Sequence, residues 1–174
     1  MSRLKDAIRS IPGFPAENII FRDITTLMQD PLAFREANDL FYERYKDLQI
    51  DKVAGIDARG FVFGAILAHR LGVGFVPVRK KGKLPFKTIS RKYTLEYGAA
   101  EVEMHEDAIN KGERVVIIDD LIATGGTVEA AVSLVDELGG VIVECAFVVE
   151  LTDLKGREVL KDQKVFSLVQ FEGE

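Results

Sequence analysis

The chain has 174 residues, 47% hydrophobic and 29% charged, with 28 acids against 23 bases for a net charge of −5. This is a globular composition long enough to bury roughly 70% of its unfolded surface in one domain, and its acidity argues against a general nucleic-acid coat, which would be basic. The single cysteine, Cys145, excludes an internal disulfide and a cysteine zinc site, no apolar stretch approaches the ~20 residues that span a bilayer, and MSRLKDAIRSIPGF has no signal-peptide core; a reducing, cytoplasmic setting is expected.

In chain order, Ser2 is placed to cap a short helix with Leu4, Ile8 and Ile11 on one face, stopped by Pro12-Gly13. Asp30-Pro31 reads as a cap followed by an N1 proline. Its helix runs to about Leu48, with Phe34, Ala37, Leu40, Phe41 and Tyr45 at helical spacing. KVAGID from Lys52 is a short buried strand, GFVFGAILAHRLG from Gly60 a helix closed by Gly72, and GFVPVRK a strand ending in a basic loop. ISRKYTLEYG and AAEVEMH alternate around Gly98 as a β-hairpin. RVVIID is a continuous apolar strand. TVEAAVSLVDELGG is a helix with Val128, Ala131, Val132, Val135 and Leu138 inward and a stop at Gly139. VIVECAFVVEL and KVFSLVQF complete the strands. Strands that alternate with helices and are apolar on both faces predict an α/β fold, a parallel sheet flanked by helices with the hairpin inserted.

Ligands of such sheets bind at the carboxyl ends of the strands, where DARG follows KVAGI and DDLIATGGT follows VVII. In Ala123-Thr124-Gly125-Gly126-Thr127 the glycines let the backbone approach a ligand. The next helix offers free N–H groups and its positive dipole end, and the threonines add hydroxyls. This is a phosphate cradle without the GK[ST] of a Walker loop or a G-x-G-x-x-G dinucleotide pattern. Asp119 and Asp120 would repel a phosphate in direct contact. One step along, they can accept from a sugar's hydroxyls, so the segment reads as recognition of a ribose 5-phosphate. An isolated Asp-Asp pair would be a solvated turn. His69 and His105 lack metal-ligand partners at useful spacing and read as structural or surface residues.

VVIIDDLIATGGT resembles the phosphoribosyl-pyrophosphate signature of the type I phosphoribosyltransferases. IIFRDIT (19–25), GIDARGFVFG (55–64), VRKKGKLP (78–85), YTLEYG (93–98) and ELTDLKGRE (150–158) resemble the branch that acts on adenine. The resemblance implies one domain over 1–174, with 1–30 as a base-binding hood and 79–98 as a flexible catalytic loop and hairpin. It implies transfer of ribose 5-phosphate from 5-phosphoribosyl 1-pyrophosphate to adenine, giving AMP and pyrophosphate in purine salvage. Asp119, Asp120, Arg59 and Glu96 are the implied catalytic residues, with Glu96 assisting proton transfer at the base's N7.

By the same resemblance pyrophosphate would meet Ala58, Arg59 and Gly60, through a loop often built on a cis peptide, and Arg79 and Lys83 of RKKGK. Leu84 to Lys92 would close as a lid. Adenine would meet Ile20, Phe21, Arg22 and Leu121. Mg²⁺ is the implied cofactor, held mainly by substrate and with no direct protein ligand, and a homodimer is implied. Read alone, Arg59 is an exposed helix start, RKKGK a solvated loop or nucleic-acid patch, and Glu96 an exposed hairpin glutamate. Two alternatives stand beside this reading: a phosphoribosyltransferase for another base, and a non-catalytic sensor of the same sugar that binds nucleic acid. The second usually adds a DNA-binding domain or a large basic face, and neither is evident in this sequence, so no nucleic-acid or membrane partner is expected.

Overall fold

The computed structural model describes residues 3–95, 98–160 and 162–172. Its centre is a seven-stranded mixed sheet in the order β5-β6-β4-β3-β7-β8-β9. Five strands are parallel neighbours: β3 (Lys52–Ile56), β4 (Gly74–Lys80), β7 (Arg114–Ile122), β8 (Val141–Leu151) and β9 (Val165–Phe171). The hairpin of β5 (Thr88–Leu95) and β6 (Gly98–His105) is antiparallel and joins the sheet where β6 pairs with the end of β4, Arg79 opposite Glu103. The expected insertion is therefore an extension of the same sheet.

Alternate residues of β7 explain why the strand reads as unbroken apolar sequence. Val116 and Ile118 pack among Phe41, Tyr45, Phe63 and Leu67 on one face, while Val115 and Ile117 pack among Val128, Ala131, Leu134 and Val135 on the other. Full burial of each aliphatic side chain contributes about 1.5–3 kcal/mol, so a covering helix is required on both sides. α3 (Pro31–Tyr45) and α4 (Arg59–Leu71) cover the first face and α5 (Gly126–Glu137) the second. Asp30 caps α3 by accepting from the Leu32 and Ala33 amides at 2.9 and 3.1 Å. The helix ends at Tyr45 rather than about Leu48, and Leu40, expected inward, is 43% exposed.

The first helix is shorter than its spacing predicts. Ser2 lies outside the described residues, and α1 covers only Arg3–Asp6. The Thr26 hydroxyl, from α2 (Thr25–Gln29), then donates to the Ala7 carbonyl and accepts from the Arg9 amide, which takes those backbone groups out of a helical pattern. The chain continues as β1 (Arg9–Pro12), paired antiparallel with β2 (Ile20–Asp23) in a separate two-stranded sheet. Among the described residues, no helix is long and apolar enough to cross a membrane.

Candidate active site

β3 and β7 run side by side and in the same direction, with Gly55 opposite Ile118, so the loops leaving their carboxyl ends meet. Gly60, at the start of α4, makes the approach close. A Cβ there would stand 2.8 Å from the Ile118 carbonyl oxygen and 2.9 Å from the Asp119 carboxylate. The Asp57-Ala58 peptide in this loop is cis. Arg59 reaches across and its Nε donates to Asp120 Oδ2 at 2.5 Å, while the Asp120 amide donates to Asp119 Oδ1 at 2.8 Å.

Charge in this cluster is nearly balanced. Burial, then the neighbouring Asp120 charge, pushes the Asp119 carboxyl well above the usual carboxylate range. Burial works against the Arg59 cation, but the Asp120 charge and hydrogen bond outweigh it and raise its pKa. Asp120, itself only 8% exposed, is held by Arg59.

Beyond the acids the chain enters the cradle. Gly125 has φ +89°, a left-handed conformation that suits glycine, and a Cβ there would lie 2.7 Å from the Gly156 carbonyl oxygen. α5 starts at Gly126, so its first-turn N–H groups, which have no partner inside the helix, open toward the loop. A cavity of about 250 Å³ joins these parts. Phe21, Arg22, Arg59, Asp119, Asp120, Leu121 and Ala123 through Thr127 line it, with Ile122 and Val128 added. On its far side Phe21 meets Phe14 edge-on at 5.4 Å. Arg22 donates to Ser10 Oγ at 2.7 Å and stacks 4.2 Å from the Phe171 ring centre.

Not every expected site residue reaches this cavity. Ile20, Ala58, Gly60, Arg79 and Lys83 are not in its wall. Arg79, expected to face pyrophosphate, bonds Asp57 Oδ2 at 3.0 Å and the Lys83 carbonyl at 3.1 Å; the carboxylate across the strand end is its counter-charge. Of the expected lid, Thr88 to Lys92 lies in β5, laddered to β6. Glu96 lies outside the described residues. Cys145 is fully buried, its thiol pushed up to about 12 by burial, and so is inert. Among the described residues no group of three or more His, Cys, Asp or Glu could hold a metal ion.

Sequence reasoning missed Glu103. This carboxylate, 2% exposed, accepts from the Lys83 and Leu84 amides at 2.9 Å each and from the Thr88 hydroxyl at 3.2 Å. Burial alone would raise its pKa; the loop N–H groups reverse this and lower it. Alternation in EVEMH gave the strand but no sign of a glutamate pointing inward. Asp57 was missed as the anchor of Arg79, and Gly156 as the residue packed behind the cradle. The glycine of LKGRE was the one available signal for the latter.

The phosphoribosyl transferase domain model matches residues 23–173. The chain is 64% identical over 171 residues to the adenine phosphoribosyltransferase of Desulfosudis oleivorans, across 98% of this chain and 99% of that one. Its structure resembles the crystal structure of adenine phosphoribosyltransferase from Thermoanaerobacter pseudethanolicus with TM-score 0.92 and 49% identity, covering 97% and 98% of the two chains. The Saccharomyces cerevisiae enzyme, crystallised with D-2,5-dideoxy-2,5-imino-altritol 1,6-bisphosphate and adenine, matches with TM-score 0.90 and 44% identity over 95% of this chain and 96% of its own.

Proposed function

The chain belongs to the phosphoribosyl transferase family, in the branch of the adenine phosphoribosyltransferases, and on that premise we infer that it joins adenine to the ribose of 5-phosphoribosyl 1-pyrophosphate, giving AMP and pyrophosphate. One observation carries the residue assignment: a single cavity is walled by the phosphate cradle, the paired acids, Arg59 and the aromatic Phe21. These are the partners needed for phosphate, diol, leaving group and flat base.

The bond from C1 of ribose to pyrophosphate oxygen breaks as adenine N9 bonds to C1, and positive charge grows on the sugar between the two events. Placement and electrostatics dominate such a reaction. The Ala123–Thr127 loop anchors the 5-phosphate. Asp119 and Asp120 accept from the ribose hydroxyls and favour the charge on the ring. Arg59 exchanges Asp120 for the departing pyrophosphate, with the Ala58 and Gly60 backbone beside it, and Arg79 and Lys83 add positive charge from the basic loop. Phe21, Arg22, Ile20 and Leu121 enclose the base, and Glu96 assists proton removal through N7. Closure of the basic loop and hairpin would exclude water from the cation.

Mg²⁺ would be the cofactor, accompanying the pyrophosphate sugar. The two adjacent acids, one with its pKa raised by burial and one paired with Arg59, form no cage, so the ion would be held mainly by substrate and water, as it usually prefers. Bound there, it neutralises leaving-group charge. The proposal includes a homodimer in the cytoplasm, and light scattering on the purified chain should give the mass of two copies. Purified protein with adenine, the pyrophosphate sugar and Mg²⁺ should form AMP, and should prefer adenine to guanine, xanthine or orotate. Absence of AMP would refute the assignment.

A further inference from the structure

We propose that Glu150 and Arg157 are positioning residues for the 5-phosphate, acting through the Gly156 backbone that braces the cradle from behind; this rests on the assignment of Ala123–Thr127 as the phosphate loop.

Three observations meet at this point. First, α6 (Gly156–Val159) is pressed against the loop with no room to spare. A Cβ on Gly156 would lie 2.3 Å from the Ala123 carbonyl oxygen and 3.1 Å from the Gly125 amide nitrogen, and one on Gly125 would lie 2.7 Å from the Gly156 oxygen. Each glycine leaves room for the other's backbone, so the path of the loop is set by where Gly156 stands.

Second, Gly156 is held on both sides. Lys155, before it, has φ +54°, the one left-handed non-glycine among the described residues, a conformation that persists only where surroundings impose it. Arg157, after it, forks onto Glu150 with Nε at 2.7 Å and Nη2 at 2.6 Å, and its third nitrogen donates to the Val165 carbonyl at 2.6 Å. Ser167 and Gln170 complete the Glu150 carboxylate at 2.6 and 3.2 Å.

Third, Glu150 is 5% exposed and sits in β8 directly beside Ile122, the last residue of β7 before the cradle. The brace and the loop therefore leave the same sheet edge from adjacent rungs. A phosphate bound by backbone N–H groups depends on where the loop places them.

The 5-phosphate is chemically unchanged between substrate and transition state, and the proposed role is that of an anchor whose contacts stabilise both equally, so that weakening them raises KM rather than lowering kcat. Steady-state kinetics on the full chain test this with Arg157→Ala and Gly156→Ala. Each variant should raise KM for the pyrophosphate sugar about tenfold and leave kcat within about twofold, with KM for adenine unchanged. Guanidinium chloride at tens of millimolar, on the order of the effective concentrations of short linkers, should restore Arg157→Ala and not Gly156→Ala, with equal sodium chloride as control. A melting temperature that falls while KM stays constant would overturn the proposal, as would guanidinium that rescues neither variant. If Arg157→Ala does not fold, Arg157→Lys decides, since it keeps the charge and loses only the fork onto Glu150: KM for the pyrophosphate sugar should still rise, and an unchanged KM would overturn the proposal. Calorimetric titration with ribose 5-phosphate makes the same comparison without turnover. A wild type that binds it yet forms no AMP would retire the activity and leave the brace standing.

Discussion

The two ends of the site handle anions by different means. At the 5-phosphate end the groups that would bind are main-chain amides of the cradle and the first turn of α5, fixed by Gly125 against Gly156. At the pyrophosphate end the groups are side chains, and each described arginine already has a partner: Arg59 on Asp120 and Arg79 on Asp57. The first end is assembled before any ligand arrives. On the proposed assignment the second would trade one anion for another, so binding there would be an exchange whose gain is the difference between two charge-assisted contacts. Preorganisation suits a phosphate that only anchors. Exchangeable partners suit a group that must leave.

The largest effect should come from the acids where the two ends meet. Asp119→Asn with Asp120→Asn is expected to lower kcat/KM about a thousandfold, the upper range for removing preorganised electrostatic groups. Asp120→Asn also removes the partner of Arg59, so calorimetry should show some loss of stability, but one far smaller than the loss of turnover. Normal turnover in that variant would break the comparison at its centre. Next, Arg59→Ala should cost about a hundredfold in kcat and raise affinity for divalent cations by freeing Asp120, which calorimetric titration with Mg²⁺ would detect. Equal loss in KM and none in kcat would mean that Arg59 only binds and does not assist departure. Arg79→Ala, acting by placement of the basic loop, should cost about five- to tenfold in kcat/KM.

Smallest is the acid response of stability, which asks whether both ends rest on buried carboxylates. Glu150 is held down to about 2 from 4.5, first by its Arg157 hydrogen bonds, and Glu103 is also lowered. A depressed native pKa gives stability that is complete above the unfolded value and lost as pH falls through the native one. Melting temperature should therefore drop as pH falls from 4.5 towards 2. Glu150→Gln should be less stable at neutral pH by about 1–3 kcal/mol, discounted for the exposed side of Arg157, and flatter across the acid range. Glu103→Gln should show the same pattern more weakly.

Legibility in the sequence followed the same division. VVII and KVAGI carry their burial in composition, and ATGGT carries its backbone shape in its glycines, so the core strands, the cradle and the acids beside it could be located in advance. Hydrophobic spacing likewise placed α3, α4 and α5 to within a few residues. It failed at Ile8 and Ile11, where the Thr26 hydroxyl redirects the backbone through a contact distant in sequence. Nor did it show the resting partners of Arg79 and Glu103, which lie 22, and 19 and 20, residues away. A charge in a sequence shows its sign but not the opposite charge that will claim it.

The contact between Arg59 and Asp120 has one more consequence. Adjacent bare carboxylates at a pocket mouth tend to trap stray divalent cations from the medium, and on the proposed assignment a trapped ion would sit in the sugar's place. With one acid's pKa raised by burial and its neighbour paired with a guanidinium, the two carboxylates make a poor chelator. On the proposed assignment, a polyanion strong enough to draw Arg59 away would free Asp120 only as the substrate binds.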